Sequence, residues 1–194
     1  MGKKRDKEKI IKRFVYTTRE RSIFFARSLI NKYCSALALP RTVSMESLDM
    51  YRKLSEKGKT RGLRTETVCA TLVYLAAHSR SPRTAEEVAA VIECDPQELY
   101  NIQKRLSPAL EIKILPAQAK LFLPRYASIL GLSQEAETAA AKLLKRAKLN
   151  RSGKILAAAA LYLCSDLTQR EIAEKLKLSI VSLREAAQQL SAKK

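Results

Sequence analysis

Several residue types that serve common chemistries are scarce in this chain of 194 residues, which has one histidine, no tryptophan, five glycines and six prolines. The low glycine and proline content excludes collagen-like and low-complexity classes. With His78 as the single histidine, neither a histidine-based metal site nor a Ser-His-Asp triad is expected. We therefore predict no enzymatic activity and no cofactor.

Cysteines and long apolar runs are also sparse. The four cysteines, at positions 34, 69, 94 and 164, form no CxxC pair and no zinc-site spacing, and most are expected to be buried as small hydrophobic side chains. No run of 18 apolar residues and no signal peptide is found, so no membrane association is predicted. We expect an intracellular protein, in the cytoplasm or in the nucleus.

Acidic residues are outnumbered: 37 lysines and arginines face 19 aspartates and glutamates, for a formal net charge of +18. The excess is +6 over residues 1–21, +4 over 22–114 and +8 over 115–194. Because the charge is spread over the whole chain, a basic tail alone does not account for it. The distribution predicts an anionic partner, of which nucleic acid is the first candidate.

The chain contains an internal repeat. Residues 68–77 match residues 156–165, and residues 84–106 match residues 168–190. The spacing between the two matching segments is shorter in the second copy, which places the difference in a surface loop at 78–83. The sequence therefore predicts two structural units of the same kind.

Both copies have helical patterns. Thr84-x-x-Glu87 and Thr168-x-x-Glu171 are capping boxes, and Asp95 and Ser179 are N-caps for the next helix. Each copy thus predicts helix, tight turn, helix. The remaining helices are predicted at 22–38, 44–57, 64–78, 117–130 with an interruption at Pro124, 133–148 and 152–166. The predicted fold is all-α, with a basic tail or linker over 1–21 and two tandem five-helix repeats over 22–114 and 115–194, each ending in a helix-turn-helix.

The ordered set of motifs resembles the cyclin-like core of the transcription initiation factor B family of archaea and eukaryotes. The resemblance covers about residues 17–190 and rests on Thr18-Arg-Glu-Arg21, Leu39-Pro40-Arg41, Lys59-Thr-Arg-Gly62, Pro82-Arg83-Thr84, Leu130-Gly-Leu-Ser133, Arg151-Ser152, the run 157–163 and Thr168-Gln-Arg-Glu-Ile-Ala173. It implies two cyclin-like repeats, a monomer, and binding to a TATA-binding protein on promoter double-stranded DNA.

The resemblance also implies roles for individual residues. Val181 and Arg184 fall where the family's last helix contacts bases of the B recognition element, and arginine chemistry agrees because a guanidinium bridges guanine O6 and N7. Phosphate contacts are expected from Lys148, Arg151, Ser152, Lys154, Thr168, Gln169 and Arg170, and the basic run Lys142, Lys145 and Arg146 precedes them. Residues expected to face the TATA-binding protein are His78, Gln97, Arg61 and Arg64.

The sequence departs from the family pattern at several places, including Gln188, where the family often has a basic residue, and His78, where it often has an arginine. It shows no counterpart of the N-terminal zinc ribbon, so contact with RNA polymerase rests on the linker-like segment 14–27 alone. Pro96 and Gln97 stand where the family usually has a lysine pair. Two alternatives stay open: a tandem helix-turn-helix regulator that binds DNA without a TATA-binding protein, and a cyclin-type scaffold that grips a protein helix or a kinase.

Overall fold

A computed structural model describes residues 18–112, 118–146 and 151–192. Within these ranges the regular elements are ten α-helices and one short 3-10 turn, which confirms the predicted all-α class. The helices are α1 Thr18–Ala36, α2 Arg41–Glu56, α3 Thr65–Ala77, α4 Ala85–Ile92, α5 Pro96–Leu110, α6 Leu123–Leu130, α7 Gln134–Arg146, α8 Gly153–Tyr162, α9 Gln169–Lys175 and α10 Ile180–Ser191, with the 3-10 turn at Ala119–Leu121.

The helices belong to two compact units. Helices α1 to α5 share one hydrophobic core, and α6 to α10 share another. The predicted boundary between residues 114 and 115 and most of the predicted tail at 1–21 lie outside the described residues, so the limits of the domains stay predictions.

Four helices, α4, α5, α9 and α10, begin at side-chain caps that the sequence predicts. Thr84 and Thr168 both form complete capping boxes, with Glu87 and Glu171 as the reciprocal partners. The Asp95 carboxylate accepts from the Gln97 N–H at 2.8 Å, and the Ser179 hydroxyl accepts from the Ser182 N–H at 3.5 Å. These four caps were predicted and are confirmed.

The observed limits of several helices differ from the predicted ones by a few residues, and two of the differences have a clear cause. The prediction of a helix over 117–130 interrupted at Pro124 is wrong, because Pro124 stands in the first turn of α6, where its missing N–H costs no hydrogen bond. The helix predicted over 152–166 ends at Tyr162. Beyond it the Cys164 and Ser165 N–H groups bond three residues back, to Leu161 and Tyr162, so the last turn tightens and stops the helix.

An alanine-rich helix lies at the centre of each unit. Ala157 to Leu161 of α8 are fully buried, as are Cys69, Ala70 and Leu72 of α3. Short side chains let neighbouring helices approach closely, and both helices contact every other helix of their own unit.

The cysteines divide into two pairs. Cys34 and Cys69 are buried, and burial raises the pKa of the first thiol to about 11 and that of the second to about 12. Cys94 and Cys164 are partly exposed. The expectation that most of the cysteines are buried is therefore correct for two of the four.

Candidate nucleic-acid interface

The second unit ends in a helix-turn-helix made of α9 and α10. The turn between them places Lys177 in the left-handed region at φ 51°, and the Leu178 N–H donates to the Ala173 carbonyl at 2.8 Å. The face of α10 that packs into the core carries Leu183, Ala186, Ala187 and Leu190. The α10 helix is thus fixed on one side and open on the other.

Both residues predicted to contact bases lie on the open side of α10. The Val181 side chain is 58% exposed, and Arg184 is exposed one helical turn further along. Residues three apart on a helix share a face, so the two side chains form one small surface near the N-terminus of α10. An exposed valine beside an arginine offers an apolar contact and a guanidinium at the same place.

The structure brings Arg184 together with Gln169, which was predicted to bind phosphate. The Arg184 Nε donates to the Gln169 Oε1 at 3.3 Å, which links α10 to the first residue of α9. A guanidinium has five N–H donors in a fixed plane, so a bond at Nε orients the two terminal nitrogens. Those two nitrogens are the pair that can bridge O6 and N7 of a guanine.

Thr168 is occupied by its capping box. Its N–H and its hydroxyl both donate to the Glu171 Oε2, at 2.7 and 2.8 Å, and the hydroxyl accepts from the Glu171 N–H at 3.3 Å. The backbone hydrogen bond from Thr168, followed by the hydroxyl bond, lowers the pKa of the Glu171 carboxyl. A phosphate at Thr168 would therefore meet a carboxylate, and the predicted contact requires the cap to open.

The other residues of the predicted phosphate-binding set lie before α8 and in the first turns of α8 and α9. Arg151 is partly buried and donates to Gln189 and Glu185 of α10, at 2.8 and 3.1 Å. Ser152 is exposed at the N-cap of α8 and its side chain forms no capping bond. Lys154 lies in the first turn of α8, and Arg170 is exposed in the first turn of α9. Lys148 lies outside the described residues.

The four residues predicted to face a TATA-binding protein do not form a single cluster. Arg61 and Arg64 are exposed before α3, and Arg64 lies 3.5 Å from a carboxylate oxygen of Glu66. The start of α5, where Gln97 is exposed, meets the start of α3 through a bond of 2.9 Å from Thr67 Oγ1 to Glu98 Oε1.

His78 lies at the opposite end of α3. It is the C-cap residue, and its ring meets the Tyr74 ring edge-on at a centroid distance of 6.1 Å. A helix of 13 residues is about 20 Å long. The structure therefore places three of the four predicted residues toward one end of α3 and His78 at the other.

Sequence reasoning missed Glu185 and Gln189 as partners of Arg151. Contacts between residues 34 and 38 positions apart have no local signal. The available clue was the spacing of Glu185 and Gln189, which are four residues apart and therefore on one face of α10.

In the described part of the chain, no group of three or more histidine, cysteine, aspartate or glutamate side chains is placed to hold a metal ion. Of the helices in the described ranges, none has the length and apolar character needed to cross a membrane.

Known proteins resemble this chain in sequence. Residues 19–109 match the family model of the transcription factor TFIIB repeat. Transcription initiation factor IIB of Archaeoglobus fulgidus is 34% identical over 185 residues, which is 90% of this chain and 57% of that protein. The factor of the same name from Methanocaldococcus jannaschii is 36% identical over 183 residues, covering 89% of this chain and 27% of that protein.

A third relative, transcription initiation factor IIB of Methanococcus maripaludis, is 34% identical over 89% of this chain and 54% of its own length. Among solved structures, the X-ray structure of a viral cyclin from herpesvirus saimiri has a TM-score of 0.41 at 18% identity, over 91% of this chain and 87% of the cyclin. The chain spans between a quarter and three fifths of the length of these relatives in sequence. Initiation factors are not enzymes, which agrees with the predicted absence of catalysis. By its sequence and its TFIIB repeat, the chain belongs to the transcription initiation factor IIB family.

Proposed function

We propose that this chain is a promoter-binding core that joins a TATA-binding protein to double-stranded DNA. In this proposal α10 reads bases of a B recognition element beside the TATA box, and basic groups of the second unit hold the DNA backbone. The observation that carries the proposal is the exposed pair Val181 and Arg184 on a helix whose other face is buried.

The chemistry of that pair supports base readout rather than backbone contact alone. The Gln169 carbonyl oxygen accepts from the Arg184 Nε and leaves the two terminal nitrogens of the guanidinium for a bidentate contact to guanine. The Val181 methyl groups suit the methyl group of a thymine in the major groove. Both residues lie in the first two turns of the second helix of a helix-turn-helix, which is the part that such motifs present to bases.

Charge supports the backbone contacts. Residues 115–194 carry +8 of the total charge of +18. We assign phosphate contacts to Ser152, Lys154 and Arg170 beside α10, and to Lys148. Gln169 is assigned to Arg184, and Thr168 contributes only if its cap opens. These contacts would position the helix without carrying sequence information.

For the first unit we propose contact with the TATA-binding protein through Arg61, Arg64 and Gln97. These three residues are exposed toward the same end of α3. His78 would take part only through a second contact, because it lies at the other end of that helix. Contact with RNA polymerase would involve the linker at 14–27, and in the cell the protein would be associated with the chromosome.

Ternary binding tests the proposal directly. We would measure by fluorescence anisotropy the affinity of the chain for a labelled TATA-containing duplex, with and without the TATA-binding protein of Archaeoglobus fulgidus. The expected result is at least about a tenfold increase in affinity in the presence of that protein, equivalent to about 1.4 kcal/mol of coupling.

The same measurement separates the two alternatives. Tight, sequence-dependent binding that ignores the TATA-binding protein would identify an independent helix-turn-helix regulator. Binding no tighter to the duplex than to an unrelated polyanion such as heparin would contradict promoter recognition and leave the scaffold role.

A further inference from the structure

A three-residue contact joins the segment before α8 to α10. The Arg151 Nε donates to the Gln189 Oε1 at 2.8 Å, and the Arg151 Nη1 donates to the Glu185 Oε2 at 3.1 Å. Glu185 and Gln189 are one helical turn apart, so a single guanidinium spans both. We name Arg151, Glu185 and Gln189 the α10 clamp.

The geometry of the clamp suits a positioning role. A guanidinium is planar, so two bonds from adjacent nitrogens fix its orientation as well as its position. The Arg151 side chain is 28% exposed, against 53% for Glu185, so the arginine is the more enclosed partner. The contact therefore ties α10 to a point 34 residues earlier in the chain.

Core packing and the α10 clamp together hold α10 in place. On its buried face Leu183 and Leu190 are fully buried, and the other two residues, Ala186 and Ala187, are alanines. Alanine side chains present few atoms to their neighbours, so they constrain the rotation and sliding of a helix less than branched side chains do. The ion pair of Arg151 with Glu185 and its hydrogen bond to Gln189 restrict both the rotation and the sliding of α10.

The clamp also neutralises a charge in an unfavourable place. Glu185 follows Arg184 directly, and an unpaired carboxylate there would repel the phosphates on either side of a groove occupied by α10. While Arg151 pairs with Glu185, that repulsion is reduced. If the same nitrogens of Arg151 bonded directly to a phosphate, the Glu185 carboxylate would lose its partner. Its repulsion of the phosphates would then return.

We propose that Arg151 is a positioning residue of promoter readout: through Glu185 and Gln189 it fixes α10 so that Arg184 meets its base. This inference rests on the proposed function. It replaces a direct phosphate contact at Arg151 by an indirect effect on specificity.

The test compares Arg151→Ala, Glu185→Ala and the double variant in the full chain, with Arg170→Ala as the matched control. For each we would measure, with a TATA-binding protein present, the ratio of affinities for the preferred and a scrambled upstream sequence, and the dependence of affinity on salt. Substitution of a positioning residue changes the ratio of affinities for the preferred and the scrambled sequence. A phosphate contact changes the salt dependence and weakens all sequences alike.

We expect Arg151→Ala and Glu185→Ala each to lower the specificity ratio about five- to tenfold, the effect of misplacing one base contact. The double variant should be no worse than either single variant, because both remove the same clamp. The slope of log affinity against log salt should change in all three by much less than the value of about 0.9 expected for a lost phosphate contact. Arg170→Ala should make that slope shallower by about 0.9 and leave the ratio intact.

The opposite pattern would overturn the inference. If Arg151 holds a phosphate, Arg151→Ala will make the salt slope shallower by about 0.9 without changing the ratio, and Glu185→Ala will tighten binding by removing a negative charge. Additive effects of the two substitutions would also refute a shared clamp.

Hydrogen exchange of the α10 amides without DNA separates this inference from the proposed function. Arg151→Ala and Glu185→Ala should accelerate exchange along α10 to the same extent, since both free the helix. Unchanged exchange would refute the clamp whatever the DNA results. If exchange is accelerated but the wild-type chain shows no sequence preference, promoter readout is wrong while the clamp exists as a structural contact only.

Discussion

At the scale of single residues, the proposal distinguishes a base contact from a backbone contact. Arg184→Ala should lower affinity for the preferred sequence by about 1 to 3 kcal/mol and flatten the preference at one base position. Lys154→Ala should weaken all sequences alike. A selection from randomised upstream sequence with a TATA-binding protein, run for the wild type and both variants, measures the difference.

The selection has a clear contrary result. If the preferred sequence survives Arg184→Ala and only the overall affinity falls, α10 holds backbone and does not read the element. Equal loss of preference in both variants would instead mean that neither residue has the role assigned to it.

At this scale the sequence could predict which side chains are exposed, but not which hydrogen bonds they form. The exposure of Arg184 follows from the spacing of Leu183, Ala186 and Leu190, which fixes the buried side of α10. Its bond to Gln169 and the bonds of Arg151 to α10 depend on the packing of three helices. Those bonds join residues 15 or more positions apart, and no single-sequence pattern reports such a distance.

At the scale of helices, the two capping boxes make equivalent contributions to different units. Thr84→Ala and Thr168→Ala should each destabilise their own unit by about 1 kcal/mol, because each leaves helix N–H groups without an acceptor. Serine at either position should restore most of the loss. Urea unfolding followed by circular dichroism would measure both, and an unchanged midpoint for either alanine variant would contradict the hydrogen bonds described for its cap.

The cap of α9 also predicts a pH dependence. The pKa of Glu171 is lowered in the folded chain, so the unfolded chain binds its proton first as the pH falls. The contribution of this cap is therefore complete above the ordinary carboxyl pKa and is lost as the pH falls through the lowered value. A glutamine at this position has no proton to gain, so the difference in stability between the wild type and Glu171→Gln should accordingly shrink below about pH 4.

Helix starts that carry a capping side chain were predictable, and Thr84, Asp95, Thr168 and Ser179 are all caps as expected. The helices predicted without such a cap to begin at 22 and 44 begin at Thr18 and Arg41. The end of α8 has no such signal, because its last turn tightens through backbone bonds alone. Pro124 was misread because proline within a helix and proline in its first turn look the same without a known start.

At the scale of the whole molecule, the net charge of +18 predicts how binding responds to salt. We expect about five to eight phosphate contacts, which would release enough counterions to give a log-log slope of about −5 to −7. Titration of a promoter duplex at several salt concentrations measures it. A slope shallower than about −2 would show that the basic excess is not the binding surface.

The division of the chain into two five-helix units was predictable because the repeat is visible in the sequence. The separate hydrophobic cores of the two units agree with that prediction. The separation of Arg64 from His78 was predictable too, because these residues bound the helix predicted at 64–78. The position of Gln97 near the start of α3 was not, since it depends on the contact of Thr67 with Glu98, 31 residues apart.

The alanine-rich centre of each unit has a consequence for cooperativity. The buried alanines of α8 let the neighbouring helices approach closely, but they bury little apolar area. Most of the large side chains that fill the core therefore come from the surrounding helices. The central helix stays buried only while its neighbours are packed around it. When the central helix unfolds, the neighbouring helices lose the surface that all of them contact. Each unit should therefore unfold as a single block, without a stable intermediate in which only the central helix and one partner remain.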